Sequence, residues 1–165
     1  MIKLYHGSTV DIKMIDLLKS RPNKDFGRGF YLSADRQQAW RMGEFKALTE
    51  GGSPVMNTYL FDEQVLKSDD LRVLIFEGYT REWAEFIFLN RNNKTAIPAH
   101  DYDIVYGPVA NDRVYAAFAL YEGRLLDKEN LIAELKTYKL VDQYLFHTKA
   151  ALQALRFFNA KEATL

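Results

Sequence analysis

Three short stretches of the chain combine the apolar residues of a strand with polar or aromatic groups at its end. They are Leu4-Tyr5-His6-Gly7-Ser8, Asp25-Phe26-Gly27-Arg28-Gly29-Phe30-Tyr31-Leu32 and Asp142-Gln143-Tyr144-Leu145-Phe146-His147-Thr148. Groups mounted at the ends of strands are held by a rigid scaffold yet stay open to a ligand, which is where binding and catalysis are usually built. His6 brings an imidazole, Tyr31 an aromatic face, and Gln143 a carbonyl dipole with an NH2 donor pair but no charge. Gly7, Gly27 and Gly29 let the backbone approach a flat ligand or take positive φ where a side chain would clash. Arg28, set between two of these glycines, has the guanidinium for charge-assisted hydrogen bonds to a pyrophosphate.

Each of these residues taken singly also has a purely structural reading. His6 fits a hydrogen-bonded histidine at a strand end, Tyr31 fits aromatic packing in an apolar strand, and Gln143 fits the polar side of a sheet. His6, His100 and His147 lack a ligand spacing such as His-x-x-x-His, so no metal is expected. Trp83 and Phe86 read as helix core. Asp101 and Asp103 flank Tyr102 at a strand start, where they suit either a catalytic pairing or a solvated edge. Arg91, in Asn90-Arg91-Asn92-Asn93-Lys94, falls where a cation meets the negative end of a helix dipole.

The elements that must position these groups follow from pattern. Lys3–His6 and Phe30–Leu32 read as strands with a short helix between them, and Ser33 is predicted to cap a helix through Ala39, Trp40, Met42, Ala47 and Leu48 that ends at Gly51-Gly52. Alternation at Val55, Asn57, Tyr59 and Phe61 and the run Arg72–Phe76 predict two more strands. Thr80 and Asn111 are predicted to cap amphipathic helices, and Asp103–Tyr106 a strand stopped by Gly107-Pro108. A helix around Leu131–Leu135, a strand Val141–Phe146, a helix capped by Thr148 and a last strand at Arg156–Phe158 complete the reading. This irregular interleaving predicts an α+β fold rather than a doubly wound parallel sheet.

The 165 residues are 48% hydrophobic, with 22 Lys+Arg against 22 Asp+Glu and no cysteine. A chain of that size buries roughly 70% of its unfolded surface in one core, so a single domain over residues 1–165 is expected. Thiolate catalysis, cysteine-ligated zinc, iron–sulfur clusters and disulfides are excluded. Zero net charge removes the long-range attraction behind nonspecific nucleic-acid binding, so a nucleic-acid partner has no support. No apolar run approaches the roughly 20 residues of a membrane span, and the opening MIKLYHGS lacks the apolar run of about 7–15 residues of a secretory signal, so a cytoplasmic protein is expected.

Joined with Glu82-Trp83, Asn90-Arg91, Tyr102-Asp103-Ile104-Val105 before Gly107-Pro108-Val109-Ala110, and Lys149-Ala150-Ala151-Leu152, the three stretches resemble the short bacterial proteins of the DUF3990 family and, through it, the ADP-ribosyltransferase superfamily. The resemblance implies a split β-sandwich of two mainly antiparallel sheets with flanking helices and an NAD-binding cleft between them. It implies that His6 bonds a ribose hydroxyl of NAD, that Gly7 backbone groups hold the nicotinamide amide, that Tyr31 stacks on the nicotinamide ring, and that Gln143 contacts the ribose beside the scissile bond. His6, Tyr31 and Gln143 are thus the expected catalytic residues. His6, Gly7, Ser8, Phe26, Gly27, Arg28, Gly29 and Tyr31 are the expected NAD contacts.

The activity implied is transfer of ADP-ribose to an unknown acceptor with release of nicotinamide, by the toxin of a pair whose small protein partner neutralises it. NAD glycohydrolysis, and an inactive nucleotide- or partner-binding module of the same fold, are the alternatives. Breaking the glycosidic bond builds positive charge on the ribose, which a glutamate at the third motif would meet with a negative one. Gln143 has only a dipole, so catalysis is expected to be weaker or differently assisted. Asn111, in Ala110-Asn111-Asp112, stands where two acidic residues are expected, against any role that needs both charges.

Overall fold

The computed structural model describes residues 1–162. In chain order they form β1 (Ile2–Ser8), β2 (Phe30–Leu32), α1 (Arg36–Glu50), β3 (Val55–Phe61), β4 (Val73–Ile75), α2 (Arg81–Arg91), β5 (Ile104–Pro108), α3 (Asp112–Glu122), α4 (Lys128–Leu135), β6 (Asp142–Phe146), α5 (Lys149–Leu152) and β7 (Leu155–Glu162). One sheet has the order β1-β3-β7 and the other β2-β6-β5-β4. Every pairing is antiparallel except β4 with β5. The protein is therefore α+β with two mainly antiparallel sheets.

The sheets pack face to face. Leu4, Tyr59 and Phe61 of the first meet Phe30, Leu32, Ile104, Tyr144 and Phe146 of the second. The opposite face of the second sheet, through Val105 and Leu145, lies on Trp83, Ile87, Val114, Phe118 and Leu131 of the helices. Burial on both faces is why Ile104-Val105 and Tyr144-Leu145-Phe146 are continuous apolar runs. It also explains β3, whose alternation suggests one polar face: positions 55–59 are all buried, because α1 packs on the outer side of the first sheet.

Thr80, Asn111 and Thr148 cap α2, α3 and α5, each side chain accepting a backbone N–H of the first turn. Four sequence expectations need correction. The cap of α1 is Asp35, which accepts from the Gln37 and Gln38 N–H groups, while Ser33 Oγ accepts from Asp35 N. The helix expected before β2 is only a 3-10 turn at Leu17–Lys19. β5 continues through Pro108, which pairs with Asp142 at a level where β4 has already ended, so its missing N–H faces no ladder. β7 begins before Arg156 and runs past Phe158, its second half hidden from pattern by the polar Asn159-Ala160-Lys161.

Candidate functional site

Among the described residues the two sheets are joined edge to edge at one place. Tyr5 N donates to Ser33 O at 2.8 Å and Ser33 N to Tyr5 O at 2.9 Å, an antiparallel bridge between β1 and β2. Continuing that register would set Gly7 opposite Tyr31, but the pairing stops. Since Tyr5 turns its N–H and C=O toward β2, strand alternation turns those of Gly7 the same way, toward the gap that Tyr31 edges. Side chains cross the gap instead of backbone. The His6 ring reaches Tyr31 O through Nδ1 at 2.7 Å, and Lys46 Nζ reaches Gly7 O at 3.0 Å and His6 Nε2 at 3.2 Å.

These contacts fix the histidine. A carbonyl can only accept, so Nδ1 carries the proton, and Nε2 presents its lone pair to the Lys46 ammonium. The ring stacks on Phe30 with centroids 4.5 Å apart. Burial, then the neighbouring Lys46 charge, lower its pKa from 6.5 to about 3. His6 is thus a neutral hydrogen-bonding group across the physiological range. We expect its NMR signals to show the Nδ1–H tautomer, unchanged between pH 5 and 8; a titration near 6.5 would contradict this environment. An unfolded chain protonates this ring near pH 6.5 while the folded one resists until about 3. Its contribution to stability is therefore complete above that window and lost progressively as the pH falls through it.

Lys46 is a residue the sequence reading missed. Its signal is the helix face Ala39-x-x-x-Gly43-x-x-Lys46, two small residues one turn apart followed by a cation on the same side. The small pair lets α1 lie directly on β1: a Cβ on Gly7 would stand 1.9 Å from Ala39 O and 2.4 Å from Gly43 N. Lys46 is thereby carried over the free edge of β1.

On the other face of β2, the Tyr31 hydroxyl donates to Gly27 O at 2.6 Å and accepts from Phe26 N at 3.0 Å, tying the preceding turn to the strand. Gly27 holds φ +87° in that turn, which is why glycine is needed there. Lys24 Nζ sits 4.9 Å from the Tyr31 ring centroid. Gln143 lies on β6, two residues before Leu145, which pairs with Tyr31, so alternation puts Gln143 and Tyr31 on one face of the sheet. Asp25 borders both. Burial raises its pKa, opposed by hydrogen bonds from Tyr115 and Ala110 N, by Arg91 and by Gln143. Tyr115 Oη donates to Asp25 Oδ1 at 2.5 Å, and the Gln143 contact is looser: its buried Nε2 has no acceptor within hydrogen-bonding geometry. Arg91 caps this group by stacking on the Tyr115 ring at 4.3 Å.

His6, Gly7, Tyr31 and Gln143 therefore gather at the junction of the sheets, with His6 on the Phe30 side of β2 and the Tyr31 ring and Gln143 on the other. Ser8 is the buried end of β1, against α1. Phe26 is fully buried among Tyr31, Phe76 and Phe86, a core residue whose N–H orients Tyr31. Gly29 is packed against Leu145 and Phe146, and its N–H binds Ser20. Arg28 is directed elsewhere: it donates to Leu18 O at 3.2 Å and, with Gly27, lines a cavity shared with Asn90, Asn93, His100, His147 and residues 95–99. Two other surface cavities open on that same loop and a third beside Asp142; among the described residues none of these four is lined by His6, Tyr31 or Gln143. Two lysines stand at the junction, Lys46 on Gly7 O and His6 Nε2 and Lys24 over the Tyr31 ring. Asp103 is structural, accepting from Arg72 N and from Thr148 Oγ.

An α+β fold of two sheets bridged edge to edge at Tyr5 and Ser33, with a neutral histidine and a tyrosine at the break, is the class of protein these observations define. The model of the family described as "Protein of unknown function (DUF3990)" matches residues 2–157, and the chain belongs to that family. Neither the curated proteins nor the solved structures contain a match.

Proposed function

We propose that the protein binds NAD at the break between β1 and β2 and cleaves its nicotinamide–ribose bond, passing ADP-ribose to an acceptor, on a fold of the ADP-ribosyltransferase type. The observation that carries this reading is the gap itself: Gly7 turns a backbone donor and acceptor into it, Tyr31 edges it with its backbone carbonyl and carries its ring on the face opposite His6, and the neutral His6 bridges the two strands. A carboxamide matches the paired donor and acceptor of one extended residue, and a flat ring matches Tyr31. For such a ligand to reach Gly7 O and His6 Nε2, the Lys46 ammonium swings aside, and a flexible four-carbon stem makes that motion cheap.

In the reaction the bond between C1′ and the nicotinamide nitrogen breaks, its electron pair leaves with nicotinamide, and the positive charge passes to the ribose. The acceptor oxygen then bonds C1′ and gives its proton to water. If water is itself the acceptor, the same residues perform glycohydrolysis. A cytoplasmic toxin held in check by a small protein partner is the biological setting the family resemblance suggests.

The test is incubation with NAD carrying label in the ADP-ribose moiety. Nicotinamide release with label on a macromolecule supports transfer, release with free ADP-ribose supports hydrolysis, and no release in either form contradicts the enzymatic reading. Gln143→Ala is expected to leave NAD affinity within about threefold while cutting nicotinamide release at least about tenfold, since its contact matters most in the charged transition state. If a missing carboxylate limits the reaction, Gln143→Glu raises turnover; a lower rate shows instead that the amide's N–H donors are used or that a second carboxylate is not tolerated beside the buried Asp25.

A further inference from the structure

Asp25 is a carboxylate with only 9% of its surface exposed, and among the described residues it forms no ion pair within 4.0 Å. Its oxygens are held by neutral donors, the Tyr115 hydroxyl at 2.5 Å and Ala110 N at 3.4 Å, and the two cations that act on it, Arg91 and Lys24, do so from beyond ion-pair distance. The side-chain amide of Gln143 also acts on it, and its buried Nε2 has no hydrogen-bond partner. A buried charge whose cations stand outside ion-pair range gains further from one that can approach it. One surface nearby is already adapted to cations: the Tyr31 ring carries Lys24 Nζ over its face at 4.9 Å, and Tyr31 is joined through its hydroxyl to the backbone of Phe26, the residue after Asp25.

Building on the NAD reading above, we infer that Asp25 and the face of Tyr31 together form a site for a cationic ring, selecting the positively charged pyridinium of oxidised nicotinamide and holding that charge as it passes to the ribose. Lys24 keeps the place of that cation in the free protein. The carboxylate that position 143 lacks is then supplied from the turn before β2, one residue from the group that orients Tyr31. Nothing in the strand pattern marks Asp25 for this, because the residue lies in a turn and meets Gln143 only through the fold.

NAD+ and NADH differ by the ring charge, so calorimetric titration of the full chain with each isolates the proposal. The wild type is expected to prefer NAD+ by about tenfold or more, the scale of a partly desolvated charge contact beside an aromatic face. Asp25→Asn, which keeps an acceptor for Tyr115, is expected to lose that preference by weakening NAD+ alone, and to slow nicotinamide release on the order of a hundredfold. Asp25→Glu, which restores the charge, should recover part of both. A brace without electrostatic function would weaken the two nucleotides equally, and that result, or an Asp25→Asn protein with its preference intact, overturns the inference while leaving the NAD reading standing. If Asp25→Asn does not fold, the wild-type ratio decides: equal affinities overturn the inference. Failure of the wild type to bind either nucleotide overturns the NAD reading, and this inference falls with it.

Discussion

Gly7→Ala is expected to be the most damaging single methyl group that can be added to this protein, costing at least about 3 kcal/mol, the upper end for overpacking of a rigid site. The methyl would stand 1.9 Å from Ala39 O and 2.4 Å from Gly43 N, and both are helix backbone, so no rotamer change relieves the contact. α1 would have to lift from β1. Because Lys46 rides on α1, its bonds to Gly7 O and His6 Nε2 would go with it. Gly43→Ala is the control: a Cβ there meets its nearest neighbours at 3.4 Å, and a change within about 1 kcal/mol is expected. Urea denaturation of the two variants checks the pair. Equal midpoints would mean that helix and strand are not in backbone contact at Gly7.

The second large effect is at position 31, where two roles of one side chain can be separated. Tyr31→Ala removes a ring packed on Phe26 and is expected to cost about 3–5 kcal/mol of stability, as for other large-to-small core changes. It should also weaken NAD binding by about 1–3 kcal/mol through lost stacking. Tyr31→Phe keeps the ring but leaves Gly27 O without its donor and Phe26 N without its acceptor, at about 1–3 kcal/mol for each orphaned group. Its NAD affinity, measured at a temperature where it remains folded, should stay near that of the wild type. A Tyr31→Ala protein that binds NAD as well as the wild type would remove the ring from the site and keep only its role as a brace.

These expectations depend on contacts that the chain discloses unevenly. Caps are local, a side-chain oxygen accepting an N–H two or three residues ahead, so Thr80, Asn111 and Thr148 could be read directly. Ser33 failed by the same logic, since two candidates two residues apart compete and the one nearer the helix, Asp35, takes the first turn while Ser33 accepts from Asp35 N itself. Apolar runs located the strands, but burial of a sheet on both faces erases the period of two, so pattern alone could not say which face Asn57 occupies. It is fully buried, and pins the Val10 and Ile12 backbone.

At the junction, His6, Gly7, Tyr31 and Gln143 were legible because each ends or lies within a recognisable strand. Lys46, Asp25 and Tyr115 were not. Lys46 matters only through the close seating of α1 on Gly7, and Asp25 meets Tyr115 across 90 residues of chain. Arg28 misled for a physical reason. The positive φ of Gly27 reverses the chain just before it, and the guanidinium is carried to the Leu18 carbonyl beside the His100 and His147 cavity.

The proposed chemistry requires a dinucleotide to enter where β1 and β2 part. Amide NMR mapping during titration with NAD addresses that point most directly. The expected result is saturable shifts at Gly7, Ser8, Tyr31 and Gln143, with the Lys46 side chain released from His6. Shifts confined to residues 93–100 around the Arg28 cavity, or none at saturating nucleotide, would contradict it.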